Sequence, residues 1–118
     1  MANILVVDDE MGIRELLSEI LGDEGHVVIT AENAQQARES RTASVPDLVL
    51  LDIWMSGIDG RDICRYLKQN AATSNIPVVL LSASRDIEHS ALAAGADDFL
   101  AKPFEIDDLL KKIEKYLS

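Results

Sequence analysis

Five short apolar runs punctuate the chain: Ile4–Val7, Val27–Ile29, Leu48–Leu51, Val78–Leu81 and, more weakly, Phe99–Ala101. Most are continuous rather than alternating, and two are rich in β-branched residues. Strands covered on both faces read this way, because neither face can be polar, and parallel sheets are built from such strands. Between the runs the spacing becomes helical. Ile13, Leu16, Leu17, Ile20 and Leu21 recur at i, i+3, i+4, i+7 and i+8, and Gly22 and Gly25 close that segment. Ala34, Ala37 and Arg41 mark a weaker second helix after Asn33. Ile63, Tyr66 and Leu67 mark a third after Gly60. Ile87, Ala91 and Ala94 mark a fourth after Asp86, with Gly95 as its stop. Ile106, Leu109, Leu110, Ile113 and Leu117 form the clearest stripe, on a fifth.

The order is strand then helix, five times over. Right-handed crossovers then place helices on both faces of a parallel sheet. The pattern predicts an α/β fold, a flavodoxin-like (βα)5 doubly wound sheet with strand order 2-1-3-4-5. The 118 residues suit one domain over 1–118, and the last helix running to Ser118 leaves no output domain in this reading.

Charge narrows the partners. The chain carries 21 acidic against 11 basic residues, a net charge of -10. Its densest basic spot, Lys111, Lys112 and Lys115, is diluted by Glu114, Asp107 and Asp108. Phosphate backbones and anionic lipids call for a basic stripe, so neither nucleic acid nor membrane is an expected partner. Cys64, the single cysteine, reads as a small buried hydrophobe in a reducing compartment. No run approaches the ~20 apolar residues of a membrane span, and Met1-Ala2-Asn3 lacks the basic start of a secretion signal. The expectation is a soluble cytoplasmic protein.

In an open parallel sheet, ligands bind beyond the carboxyl ends of the strands, at the switch in strand order. Here the strand ends carry Asp8-Asp9, Asp52, Ser82 and Lys102-Pro103. Three neighbouring carboxylates repel one another unless a cation sits among them. Hard oxygen donors beside a site open to phosphate suit Mg²⁺. A lysine offsets charge and holds an anionic oxygen, and a hydroxyl holds another. A carboxylate so placed can attack a phosphoryl group. Each feature alone has a plainer reading: Asp9 or Glu10 as a helix cap, Asp52 as a turn residue, Lys102-Pro103 as loop. Their coincidence at matching strand ends favours a phosphoryl-acceptor site. His26 and His89 lack ligand spacing and read as polar surface. Asp97-Asp98 and Asp107-Asp108 read as turn and helix-start residues.

These residues resemble the receiver domain of two-component response regulators along the whole chain. Ile4–Glu10 is similar to that family's opening strand and acidic pair, and Pro46–Ile53 to its phospho-acceptor strand. Met55, Gly57 and Asp59-Gly60 are similar to the loop beyond, Pro77–Ala83 to the strand with the hydroxyl, and Gly95–Phe104 to the last strand and Lys-Pro turn.

The resemblance implies a phosphorylation-dependent switch. Asp52 would take the phosphoryl group from a phosphohistidine or a small phosphodonor. Asp9 would bind Mg²⁺, or Mn²⁺ in its place, directly. Asp8 would help directly or through water, and the Trp54 carbonyl would be a further ligand. Ser82 and Lys102 would hold the phosphoryl group, Pro103 would follow a cis bond, and Phe99 would be the aromatic switch. Trp54 and Ser84 would tune phosphoryl lifetime. The output face would be the fourth helix, fifth strand and fifth helix, from about Asp86. The implied partners are a histidine kinase or histidine phosphotransfer protein, an unknown output partner and a phosphorylation-dependent homodimer.

Ser56 departs from the family's usual proline. The segment up to about Met55 is similar to receivers of the nitrogen-regulation type, and the part from Gly57 to receivers found alone or in other regulators. Recombination would produce such a chain, and so would ordinary divergence. A folded receiver without native signalling is one alternative. A phosphatase of the haloacid dehalogenase type is another, although that class has a second Asp where this chain has Trp54. A nucleotide or flavin module lacks its glycine-rich motif here.

Overall fold

The computed structural model describes residues 2–33, 36, 45–55, 58–82 and 95–117. In chain order its elements are β1 (Asn3–Val7), α1 (Met11–Asp23), β2 (Val27–Ala31), β3 (Leu48–Asp52), β4 (Trp54–Met55), β5 (Ile58–Asp59), α2 (Gly60–Gln69), β6 (Val78–Ser82), β7 (Asp98–Ala101) and α3 (Ile106–Leu117). The expected second and fourth helices and Ser84 fall largely or wholly outside the described residues, and of the expected output face from Asp86 the described part is residues 95–117, with β7 and α3.

Five strands form one parallel sheet in the order β2-β1-β3-β6-β7. Counted along the chain without the two short strands β4 and β5, this is the expected 2-1-3-4-5. The strands run one or two residues past most of the apolar runs, because Asp52, Ser82 and Asp98 join the ladder although they are polar. Val7 pairs with Leu51, Asp52 with Leu81, and Ser82 with Ala101. The carboxyl ends of β1, β3, β6 and β7 therefore lie along one edge.

The continuous apolar runs have the expected cause: alternate residues serve opposite faces. Leu5, Val7, Val49, Leu51, Val78 and Leu80 pack on the α2 side with Cys64, Ile63 and Leu67. Ile4, Val6, Leu48, Leu50, Val79 and Leu81 pack on the other with Leu17 and Leu21 of α1 and Leu109 and Ile113 of α3. Cys64 is buried, and burial pushes its thiol up to about 11.

Sequence patterning misses the β4–β5 hairpin, an antiparallel pair with two residues on each side. That is too short to show a period. The expected turn role holds for Asp97, which stands in the bend before β7, while Asp98 is already in the strand, and both carboxylates are engaged. The Asp97 carboxylate accepts from Lys68 Nζ at 2.6 Å and from the Val78 amide at 2.8 Å. Asp98 opens β7 and accepts from Lys112 Nζ and the Tyr116 hydroxyl, each at 3.0 Å. Burial would raise the Asp98 carboxyl, but the Lys112 ammonium holds it below its usual value. Burial and Asp98 push Tyr116 up to about 12. The two aspartates tie β7 to α2 on one face and to α3 on the other. Asp107 and Asp108 do stand in the first turn of a helix, α3.

Candidate functional site

Asp8 follows the last paired residue of β1, and it is fully buried. All its polar atoms are engaged. Its amide donates to the Ala31 carbonyl at 3.0 Å. Its Oδ1 accepts from the Glu10 amide at 2.9 Å, and its Oδ2 from Lys102 Nζ at 2.7 Å. Its carbonyl accepts from Arg14 Nη1 at 2.8 Å. The first of these side-chain bonds replaces the expected helix cap. Glu10 occupies the N-cap position of α1 without a side-chain cap bond, and Asp8 supplies an acceptor to its amide from two residues further back.

Asp52 closes β3 and is also buried, at 4% exposure. Its Oδ1 lies 3.4 Å from Lys102 Nζ. Each of Asp8, Asp9 and Asp52 places one carboxylate oxygen within 4.8 Å of those of the other two. Among the described residues this is the one such acidic, histidine or cysteine group. Burial, then the Asp8 charge, push the Asp52 carboxyl up to about 6, with Lys102 pulling the other way. Burial would lower Lys102, yet its bond to Asp8 and the charges of Asp8, Asp52 and Glu10 leave it raised. The arrangement is one ammonium against a surplus of carboxylates. A small divalent ion with oxygen ligands fits that surplus, because it would supply the positive charge the lysine alone cannot.

Ser82 ends β6, is buried, and its carbonyl accepts from the Lys102 amide at 2.6 Å. Lys102 follows β7, and its peptide bond to Pro103 is cis. The structure thus gathers Asp8, Asp9, Asp52, Ser82 and Lys102 at one edge of the sheet. Trp54 follows Asp52 by two residues, in β4. Phe99 is the second residue of β7. It pairs with Leu80, packs against the α2-side core, and has Lys112 Nζ 5.8 Å from its ring centroid. Ser84 lies outside the described residues.

Two neighbours of the site make contacts that no motif announces. Arg14 is the fourth residue of α1 and lies outside that helix's apolar stripe. Gly60 packs so closely that a Cβ there would run into the Asp52 carbonyl and lie 2.9 Å from Ile53 Cα. Its amide donates to the Ile53 carbonyl at 2.6 Å. The Asp59-Gly60 pair was a signal for a turn, not for this contact. His26 lines a shallow cavity with Glu24 and Glu114 as well as Leu110, Ile113 and Leu117, and its Nδ1 is buried without a hydrogen-bond partner among the described residues. It joins no metal-ligating group among the described residues.

Residues 4–114 match the response regulator receiver domain family. The chain belongs to that family. It is 39% identical over 116 residues to the sporulation initiation phosphotransferase F of Bacillus subtilis, covering 97% of this chain and 92% of that protein. It is 38% identical over 116 residues to the phosphate regulon transcriptional regulatory protein PhoB of Pseudomonas aeruginosa, covering 97% of this chain but 51% of that one. The chain thus spans about half the length of several curated relatives it matches. Among solved structures, the receiver domain of NtrX from Brucella abortus superposes with a TM-score of 0.88 at 42% identity, covering 97% of each chain. As a receiver, the domain is a phosphorylation-dependent module of two-component signalling. Its relatives lend no support to the phosphatase or the silent-fold alternatives.

Proposed function

We propose that Asp52 is the phosphoryl acceptor of this receiver. The observation that carries the assignment is its position: a buried carboxylate at a strand end, beside Lys102 and two further carboxylates. With its carboxyl at about 6, Asp52 is largely ionised at neutral pH and able to act as a nucleophile. One Asp52 oxygen attacks phosphorus as the bond from phosphorus to the donor breaks. The bonding pair leaves with the donor, an imidazole nitrogen of a phosphohistidine or the oxygen of a small acyl phosphate. The product is an acyl phosphate on Asp52.

Asp8, Asp9, Asp52 and the Trp54 carbonyl would hold Mg²⁺, or Mn²⁺ in its place. The ion would neutralise charge on the phosphoryl oxygens. Lys102, already between Asp8 and Asp52, would pair with another phosphoryl oxygen, and the Ser82 hydroxyl would donate to a third. Moving Lys102 and Ser82 toward the new charge gives the two states different contacts, the requirement for a switch. Phe99, on the strand that leads into Lys102, would follow that movement, and Trp54 and Ser84 would set how readily water reaches the acyl phosphate. Pro103 would keep the Lys102 turn aimed at the site. The donor partner is a histidine kinase or phosphotransfer protein. Output runs through an unidentified protein or a second copy of this chain, not through direct binding of nucleic acid. A cytoplasmic location agrees with this role, and no helix among the described residues is long and apolar enough to cross a membrane.

The test is incubation with acetyl phosphate and Mg²⁺ followed by intact-mass spectrometry. The expected result is one phosphoryl adduct that disappears with chelator and in Asp52→Asn. An adduct that persists in Asp52→Asn would move the acceptor elsewhere. If no adduct forms, titration of Mg²⁺ against the fluorescence of the sole tryptophan, Trp54, separates an assembled site awaiting its own donor from no site at all.

A further inference from the structure

The Asp8 carbonyl lies just past the β1 ladder, in a residue with no exposed surface. The side chain of Arg14 meets it, with Nη1 at 2.8 Å. The same guanidinium reaches toward the end of β2, where its Nη2 lies 3.9 Å from Glu32 Oε2. Glu32 is held in turn by Gln36, whose amide nitrogen donates to Glu32 Oε1 at 3.1 Å. The Arg14 side chain is only 16% exposed.

The geometry points to Arg14 as a positioning residue for the divalent cation. This inference rests on the metal reading above. The Asp8 carbonyl and the Asp9 amide belong to one planar peptide unit, so fixing the oxygen fixes the plane from which Asp9 departs. Asp9 is the less buried of the two β1-end carboxylates in the cluster. Asp8 is already anchored through both carboxylate oxygens, and the Arg14 contact adds a fixed peptide plane from which Asp9 leaves the strand end. Charge alone would give Arg14 the opposite effect, because a guanidinium beside an acidic cluster repels Mg²⁺. Positioning and charge therefore predict changes of opposite sign. Partners that orient metal ligands are commonly worth ten-fold or more in affinity.

The experiment is calorimetric titration of Mg²⁺ into the wild type, Arg14→Met and Arg14→Lys, with thermal unfolding of each. Positioning predicts a dissociation constant about ten-fold weaker for Arg14→Met and about three-fold weaker for Arg14→Lys, whose ammonium keeps the charge but not the planar fork. Tighter binding by Arg14→Met would overturn the inference in favour of charge. A lowered melting temperature with unchanged affinity would overturn it in favour of a structural tie. If Arg14→Met does not fold, Arg14→Lys decides, since charge alone expects no change there. A wild type that does not bind Mg²⁺ would overturn the metal reading as well. A variant that binds as tightly as a binding wild type would overturn only the role of Arg14.

Discussion

Lys102 Nζ lies 2.7 Å from Asp8 Oδ2 and 3.4 Å from Asp52 Oδ1, so one ammonium answers two buried carboxylates. Removing it leaves both without their nearest cation, and an orphaned buried charge is costly. Lys102→Met is expected to lose about 3 kcal/mol of stability at pH 7 in chelator. The loss should shrink toward pH 4, as Asp52 takes up its proton. Millimolar Mg²⁺ should restore part of it. Denaturant unfolding at the two pH values checks this, and equal stability of variant and wild type at pH 7 would refute it.

The acid range gives Asp52 a signature of its own. Its carboxyl is raised from 3.8 to about 6 in the folded protein. A raised carboxyl means the folded state holds the proton more tightly than the unfolded state does. The associated stability is complete below about pH 4 and is lost as pH rises toward 6. Asn at 52 carries no charge to desolvate. Asp52→Asn should therefore match the wild type near pH 4 and exceed it at pH 7 by on the order of 2 kcal/mol without divalent cations. Thermal melts in chelator across this range would show the two curves parting, and parallel curves would contradict the assignment.

Gly60 and Gly12 make a matched pair. A methyl group at Gly60 collides with the backbone of Asp52 and Ile53, whereas at Gly12, inside α1, it meets nothing within 4 Å. Gly60→Ala should cost about 3 kcal/mol and impair phosphorylation, because the atoms that must yield belong to the acceptor residue. Gly12→Ala should gain up to about 1 kcal/mol through helix propensity. Chemical denaturation of both variants, with a phosphorylation assay on Gly60→Ala, tests the contrast.

The Cys64 thiol is buried and pushed up to about 11. Thiolate, not thiol, reacts with alkylating agents. At pH 8 the native protein should react slowly, at a rate that follows denaturant-driven opening. Rapid native-state modification would place Cys64 nearer the surface.

The sheet was legible because its strands are covered on both sides. That makes Ile4–Val7, Leu48–Leu51 and Val78–Leu81 continuous enough to stand out. The strand ends were legible because polar residues at the end of an apolar run must sit at the sheet's edge. What the pattern could not carry are relations between distant backbones. The Arg14 contact with the Asp8 carbonyl and the exclusion of a side chain at Gly60 depend on how α1 and α2 seat on the sheet. The β4–β5 pair is too short to have a period. Asp97 and Asp98 read as a turn because local composition does not reveal that Lys68 and Lys112 approach from opposite faces.

The sheet also divides the interior into two compartments that meet only through its backbone. Leu50 and Leu51 are consecutive, yet one faces α1 and α3 and the other faces α2. Each compartment is filled by residues from both sides of position 56: Ile4, Leu17 and Leu48 meet Val79, Leu109 and Ile113 in one, while Leu5, Val49 and Leu51 meet Cys64, Val78 and Leu80 in the other. A chain assembled from two parents at that point cannot inherit either compartment whole. Each new seam would have to be matched for shape twice over, once on each side of the same five strands.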